Sequence, residues 1–158
     1  MFRGVFETTI DVKGRTSLPA KFREVLVETF GDERFFVTNS GPVALGDGAF
    51  SSGLVIYPHK EWLLFEERLL SGSGFTSAQR NSIMRMIVAP AVECSADKLG
   101  RVLVPPHLRK SASLEREIVF VGALKKAEIW SQAAWDRVLG QAEKDFPVDT
   151  QALAELGL

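Results

Sequence analysis

The chain has 158 residues, of which 46% are hydrophobic, so it can form one fair-sized domain or two small ones around a packed core. Its formal net charge of -1 and its pI of about 6.1 exclude a general attraction to nucleic acid or to anionic membranes, so any such binding needs a local patch. The single cysteine, Cys94, excludes an intramolecular disulfide and is expected to be a small core residue.

The N-terminal sequence MFRGVFETTI differs from a secretory signal, because it alternates in polarity and carries an acidic residue, Glu7. Apolar runs such as Ile118 to Leu124 are far shorter than the roughly 20 residues that span a bilayer. These features predict a cytoplasmic protein without a membrane segment.

The first predicted elements are a strand, a tight turn, a second strand and a helix. GVFETTI alternates like a strand, and Gly14 allows the positive φ that a three-residue hairpin loop from Asp11 to Arg15 requires. RTSL is predicted to return as the second strand. Pro19 suits the first helical position, and AKFREVLVETF continues as an amphipathic helix that ends at Gly31.

Two further strands, RFFV and GLVIY, flank a segment without periodicity. This segment, residues 38–53, is rich in Gly and Ser and predicts an elongated surface loop, either tolerated decoration or a mobile functional arm. After it, Trp62, Phe65 and Leu69 fall on one face of a helix.

The middle of the chain predicts a linker and a helix. SGSG at residues 71–74 is the linker, and Ser77 is a candidate N-cap for the helix beyond it. Ile83, Met86 and Ile87 lie on one face of that helix, as core or subunit-interface residues.

The remaining predicted elements repeat the first set in the same order. AVECS is a strand, Lys98 to Gly100 is a turn, RVLV is a strand and a short helix starts at Pro105. The hairpin IVFVGALKKAEIW and a final helix complete the set. The final helix carries an apolar stripe of Trp135, Val138, Leu139, Ala142 and Phe146.

An internal repeat explains this order. Six residues recur 86 positions later, and Tyr57 and Trp62 recur as Trp130 and Trp135 at an offset of 73, so the first copy holds 13 additional residues. The six are Glu7, Asp11, Gly14, Arg15, Pro19 and Arg23, which recur as Glu93, Asp97, Gly100, Arg101, Pro105 and Arg109.

One copy of about 70 residues would bury its strands poorly, whereas two paired copies would cover each other. The predicted fold class is therefore α+β, with two β-hairpin/helix repeats in a pseudo-two-fold, β-barrel-like core with peripheral helices. The first repeat is residues 1–70 with the inserted loop 39–53. Residues 71–90 are linker and helix, residues 91–146 are the second repeat, and residues 147–158 are an acidic tail.

The duplicated turn carries the candidate chemistry. Asp11 and Arg15, like Asp97 and Arg101, flank a loop and can form an ion pair that fixes the turn. An exposed ion pair contributes at most about 1 kcal/mol to stability, so stability alone is a weak explanation for two identical pairs. In the functional interpretation, each Asp orients an Arg whose guanidinium donates two parallel bonds to a phosphate or a guanine edge.

Local charge favours the functional interpretation. Residues 13–23 contain four basic and no acidic residues, and so do residues 98–110. Symmetric pairing would place both turns on one side as a basic ridge, and a two-stranded β-ribbon fits the major groove of DNA. The candidate DNA-binding residues are Lys13, Gly14, Arg15, Lys98, Gly100 and Arg101, with Asp11 and Asp97 orienting them and Arg23 and Arg109 as supporting basic residues.

Several motifs together resemble the MraZ family, whose two halves are AbrB-like (SpoVT/AbrB) domains. They are MFRG, DVKGR, LPAKFRE, YPHKEW, VECSADKLGRVLVPP, LRKSASLEREIVFVG and AEIW, and they extend to about Gln141. The resemblance implies a cytoplasmic, nucleoid-associated transcriptional regulator that forms ring-shaped homo-oligomers and contacts DNA through Arg15 and Arg101. It also implies binding to direct repeats upstream of the cell division and cell wall gene cluster, with repression of its own operon. The loop at residues 38–53 is longer than that family's usual connection, and the acidic tail is individual.

Two other functions compete with DNA binding. An enzyme is disfavoured, since His59 and His107 each follow a proline at a helix start and no nucleophile, P-loop or metal-ligand pattern accompanies them. No catalytic residue, cofactor or metal is therefore predicted. The other alternative is an AbrB-like antitoxin or assembly adaptor that binds a protein through the acidic tail.

Overall fold

The computed structural model describes all 158 residues, Met1–Leu158, as ten strands and six helices. The strands are β1 Val5–Thr9, β2 Arg15–Ser17, β3 Phe35–Asn39, β4 Val43–Ala44, β5 Phe50–Ser51, β6 Leu54–Pro58, β7 Val92–Cys94, β8 Arg101–Leu103, β9 Glu117–Ala123 and β10 Lys126–Ser131. The helices are α1 Ala20–Phe30, α2 His59–Ser71, α3 Ser77–Ile83, α4 Pro106–Ser111, α5 Gln132–Asp145 and α6 Thr150–Glu155, and a π-helical turn at Met84–Val88 continues α3.

Six strands form one antiparallel sheet in the order β1-β9-β10-β6-β3-β7. By their order in each copy and by their ladder registers, β1 corresponds to β7, β3 to β9 and β6 to β10, so the strand order reads the same from either edge. The central pair β6–β10 and the two edge pairs β1–β9 and β3–β7 each join the two copies. The α+β class and the pseudo-two-fold arrangement predicted from the repeat are confirmed.

The strands that flank each duplicated turn do not pair with each other, which differs from the predicted hairpin. β2 instead pairs with β8 of the other copy, with Thr16 opposite Val102 at the centre of this two-stranded ribbon. Beyond the loop, β2 leaves the six-stranded sheet, because its pairing with β8 buries Thr16 and Val102 against the core that both copies share. Exchange of strands between copies therefore replaces the local hairpin.

The core is one cluster of 18 buried residues contributed by both copies. It joins one face of the sheet to the inner side of the ribbon and to α1 and α4, through residues such as Phe22, Val102, Leu108 and Phe120. The opposite face of the sheet carries α2 and α5, which contact β3, β6, β9 and β10. The sheet stays open, and the ribbon with α1 and α4 encloses the core without closing a barrel.

The helices of the first copy follow the predicted apolar pattern. α1 starts at Ala20, so Pro19 is its N-cap and not the predicted first helical residue. The helix ends at Gly31, as predicted, and buries Phe22 and Leu26. On α2, Trp62 and Leu69 are buried and Phe65 is half-buried. None of the six helices combines the length and apolar character needed to cross a membrane.

The insertion in the first copy is a small hairpin, so the predicted irregular loop was wrong in detail. β4 pairs with β5, and Leu45 N–H donates to Ala49 O at 2.9 Å across the turn. Gln141 Oε1 on α5 accepts a bond from Gly46 N–H at 2.8 Å. The glycine and serine content concealed a ladder of only two residue pairs, too short to show alternation.

The helix after the linker starts one residue earlier than predicted. Thr76, not Ser77, is the N-cap: its hydroxyl accepts from Gln79 N–H at 3.1 Å, and Gln79 Oε1 accepts from Thr76 N–H at 2.9 Å. This reciprocal capping box satisfies two backbone donors, whereas Ser77 as cap would satisfy one.

The π-helical turn after α3 is tied to the sheet by side chains of β3. Thr38 Oγ1 donates to Ile87 O, and Asn39 Nδ2 donates to Met86 O at 2.9 Å. Ile83 and Ile87 are half-buried, whereas Met86 is exposed. The apolar face predicted here is therefore only partly covered within one chain.

The apolar stripe of α5 is also only partly covered. None of its residues is buried: Trp135 and Val138 are half-buried, and the exposed fractions of Leu139 and Phe146 are 43% and 61%. The one buried residue of α5 is Ala134, outside the stripe. The C-terminal segment forms α6, which Asp149 caps by accepting from Gln151 N–H at 3.0 Å.

Cys94 packs against the core, as predicted, and its burial raises the thiol pKa from 9.0 to about 11. The thiolate is the reactive form, so at pH 8 native Cys94 should react with iodoacetamide about 100-fold more slowly than in the urea-unfolded chain. Mass spectrometry of timed samples measures both rates, with free cysteine in each buffer as the control. Equal rates in the two states would contradict the buried placement.

Candidate nucleic-acid interface

The first of the two duplicated loops is built around the carboxylate of Asp11. Its Oδ1 accepts from the backbone N–H groups of Lys13 at 3.0 Å and Arg15 at 2.9 Å, and its Oδ2 accepts from Arg15 Nε at 2.9 Å. Asp11 N–H also donates to Arg15 O at 3.0 Å, which closes the loop. Gly14 has φ +90°, so the predicted three-residue loop with a glycine at positive φ is confirmed.

The second loop has the same geometry. Asp97 Oδ1 accepts from Leu99 N–H and Arg101 N–H, each at 2.9 Å, and its Oδ2 accepts from Arg101 Nε at 3.2 Å. Gly100 has φ +78°. The repeat therefore preserves a hydrogen-bonded Asp–Arg unit and not only a sequence pattern.

Both aspartates are held in the ionised form. Backbone hydrogen bonds from Arg15 and Arg101 are the largest cause that lowers the pKa of Asp11 and Asp97, and the side chains of the same arginines add to it. Each ion pair occupies only the Nε of its arginine. Both Nη groups of each guanidinium thus stay free to donate to an external acceptor.

The ribbon presents the two arginines on one side. Arg15 lies opposite Leu103, and Ser17 lies opposite Arg101, so these four side chains share one face. The exposed fractions of the Arg15 and Arg101 side chains are 45% and 41%. Because they are diagonal neighbours in the ladder, their Cα atoms are about 7–8 Å apart.

Leu103 and Ser17 are surface residues of this face that the motif analysis did not single out. The alternation in RTS and RVL, with the middle residue of each buried, was the signal that could have found them. Lys13 and Lys98 are exposed on the loops beside the ribbon. The face is therefore basic at both ends, with Leu103 as an apolar contact.

Each loop is anchored to the other copy by its glycine. Val104 N–H donates to Gly14 O at 2.8 Å, and Leu18 N–H donates to Gly100 O at 2.9 Å. Both glycines are buried. A Cβ built on Gly14 would lie 2.5 Å from Val104 O and 2.7 Å from Arg109 Nε. The position of the first loop thus depends on a glycine at that site.

The two supporting basic residues have different surroundings. Arg109 is half-buried and donates to Val104 O at 3.0 Å and to Val12 O at 3.2 Å. Arg23 is exposed, and its guanidinium lies over Gly100. The repeat predicted one role for both, but Arg109 uses its donors within the protein.

A family model described as "MraZ protein, putative antitoxin-like" matches residues 1–84 and 87–156 of this chain. The chain belongs to the MraZ family. The match extends past Gln141, where the motifs that suggested the resemblance end, and includes most of the acidic tail.

Relatives within the MraZ family match the chain over its whole length. A Geobacter metallireducens protein is 74% identical over 158 residues, and a Geotalea uraniireducens protein is 71% identical over 160 residues. A Geobacter sulfurreducens protein is 65% identical over 158 residues. The alignment covers all of this chain and all of each relative, and each relative is named "Transcriptional regulator MraZ".

Proposed function

We propose that this MraZ-family chain is a sequence-specific DNA-binding transcriptional regulator without enzymatic activity. The observation that carries the proposal is the pair of guanidinium groups, Arg15 and Arg101, on one exposed face with their Nη groups free. The names of the relatives support the same class of function. The proposal requires no cofactor or metal.

The ribbon and its loops form the proposed contact surface. A two-stranded ribbon fits the major groove, where an arginine fork can bond to guanine O6 and N7. Asp11 and Asp97 hold the direction of each fork, as carboxylates orient arginines in other recognition sites. Lys13 and Lys98 are placed to contact phosphates, which adds affinity without base discrimination.

The finer functional assignment follows the family resemblance. We propose direct repeats upstream of the cell division and cell wall gene cluster as the binding site, with repression of the chain's own operon. The protein would act in the cytoplasm on the nucleoid. Both repeats, residues 1–70 and 91–146, would serve as halves of one DNA-binding unit, joined by residues 71–90 and followed by the tail at residues 147–158.

A ring-shaped homo-oligomer would account for DNA binding by a chain of net charge -1. Several ribbons at fixed spacing would engage successive repeats, and each further contact would benefit from a high effective concentration. The partly uncovered apolar residues Leu139 and Phe146 offer surface for contacts between subunits.

Footprinting on the DNA upstream of the chain's own gene tests this function. The expected result is protection of short, regularly spaced repeats, which disappears as salt rises because phosphate counterions are displaced. A duplex of the same composition with the repeats scrambled is the control. Equal affinity for the two duplexes would contradict sequence-specific binding.

A further inference from the structure

Arg23 and Arg109 occupy equivalent positions of the repeat but make different contacts. Arg109 bonds through Nε and Nη1 to the carbonyls of Val104 and Val12, so it connects the first loop to the other copy. The Arg23 side chain lies over Gly100 without a hydrogen bond or an ion pair to any residue. The symmetry of the backbone therefore does not extend to these side chains.

Residues beside the loops also differ between the two copies. Ile10 fills the space next to the first loop and is 3% exposed, whereas its counterpart at the second loop is the smaller Ala96. A cleft of about 300 Å³ lies beside the second loop, and Arg23, Lys98 and Ala96 line it. Lys98 replaces the apolar Val12 of the first loop, so a second cation lies where the cleft is open.

Acidic residues of the cleft leave its cations available. Asp97 lines it, but its oxygens already accept from Arg101 and from the backbone of the loop. Glu33 is exposed and forms no ion pair, and its single negative charge balances only one of the two unpaired cations, Arg23 and Lys98. The donors that remain suit a singly charged phosphodiester oxygen.

We infer that the two loops are not equivalent in DNA binding, an inference that rests on the proposed function. Arg109 is a positioning residue: it holds the Val12 carbonyl and thereby fixes the first loop and its Arg15. Arg23, with Lys98, binds a phosphate of the DNA backbone in the cleft beside the second loop. The first recognition loop is rigid, and the second contacts DNA through an additional phosphate site.

The role of Arg23 is tested by the salt dependence of DNA affinity. Fluorescence anisotropy with a labelled duplex from the upstream region is measured for the full-length chain and for Arg23→Gln and Arg23→Lys. Arg23→Gln should bind roughly tenfold more weakly and lower the slope of log K against log salt by about 0.9 for each contacting subunit. Arg23→Lys should bind nearly as the wild type does, since a point charge suffices for a phosphate.

The role of Arg109 is tested by Arg109→Lys, which retains the charge but cannot reproduce the two-point fork. DNA affinity should fall roughly tenfold, and Tm should fall by about 2–4 °C. In an Arg15→Ala background measured at low salt, Arg109→Lys should cause no further loss of affinity, because the side chain that it positions is absent. A purely structural residue would lower Tm without this dependence on Arg15.

The outcomes separate this inference from the proposed function. If wild-type chain binds the duplex but Arg23→Gln leaves the salt slope unchanged, or if both arginines respond alike to lysine, the inference is wrong and DNA binding stands. If the wild type does not bind, the proposed function itself fails. Inorganic phosphate should not raise the Tm of the wild type. If phosphate does raise the Tm of the wild type, and Arg23→Gln abolishes that rise, then the cleft binds free phosphate and not the DNA backbone.

Discussion

Replacing both Arg15 and Arg101 with alanine is expected to weaken binding to the upstream DNA by at least about 30-fold, because each well-oriented arginine fork contributes about 1–3 kcal/mol. The two side chains are exposed on one face of the ribbon, and their Nη groups have no partner within the chain. Each single substitution should give an intermediate loss. Anisotropy titrations against the specific and the scrambled duplex measure these effects.

The double variant should keep the fold and the oligomeric state of the wild type. Exposed ion pairs contribute little to stability, and the core contains neither arginine. Circular dichroism and size-exclusion chromatography with light scattering check these two properties. Lys60→Ala combined with Lys144→Ala is the matched control, since it removes two exposed positive charges from α2 and α5, which cover the opposite face of the sheet. Wild-type affinity in the double variant would refute the proposed site.

Gly14→Ala is expected to lower the free energy of unfolding by about 2–6 kcal/mol, the sum of about 1–3 kcal/mol each from backbone strain and from overpacking. Gly14 has φ +90°, and a Cβ would lie 2.5 Å from Val104 O, a backbone atom of the ribbon's end that cannot rotate away. The first loop would then shift and carry Arg15 with it. Urea unfolding followed by circular dichroism measures the stability loss, and anisotropy measures the loss of DNA affinity.

Gly100→Ala is the matched comparison in the second loop. Its φ of +78° imposes similar backbone strain, but the nearest atoms to the added Cβ belong to the flexible guanidinium of Arg23. Its stability loss should therefore be smaller than that of Gly14→Ala. A larger loss of stability for Gly100→Ala than for Gly14→Ala would contradict the tighter backbone packing at the first loop.

The internal repeat predicted most of the fold and of the candidate site. Spacing alone indicated the Asp–Arg ion pairs and the positive φ at Gly14, because these contacts are local and complete within five residues. The predicted hairpin partner was wrong because alternation shows which residues face the core, not which strand lies alongside. β2 and β8 bury one residue each, a pattern that fits either partner.

The difference between Arg23 and Arg109 could not be predicted from the repeat. Both follow a proline by four residues in equivalent positions of a basic segment. Their contacts differ, and so do the residues 13 positions upstream in each copy, Ile10 and Ala96, which fill different volumes beside the loops. Such an effect depends on side chains that meet only in the folded molecule.

Because β1 lies against β9 and β3 against β7, neither half of the polypeptide possesses a complete sheet of its own. The molecule resembles a homodimer whose two subunits are joined in one chain. In a homodimer every mutation occurs in both subunits, whereas here a mutation in one half leaves the other half unchanged. Equivalent positions of the two loops can therefore differ, as Val12 differs from Lys98 and Lys13 from Leu99. If the chain binds DNA as proposed, its two loops can contact different bases, which suits a target whose two halves differ in sequence.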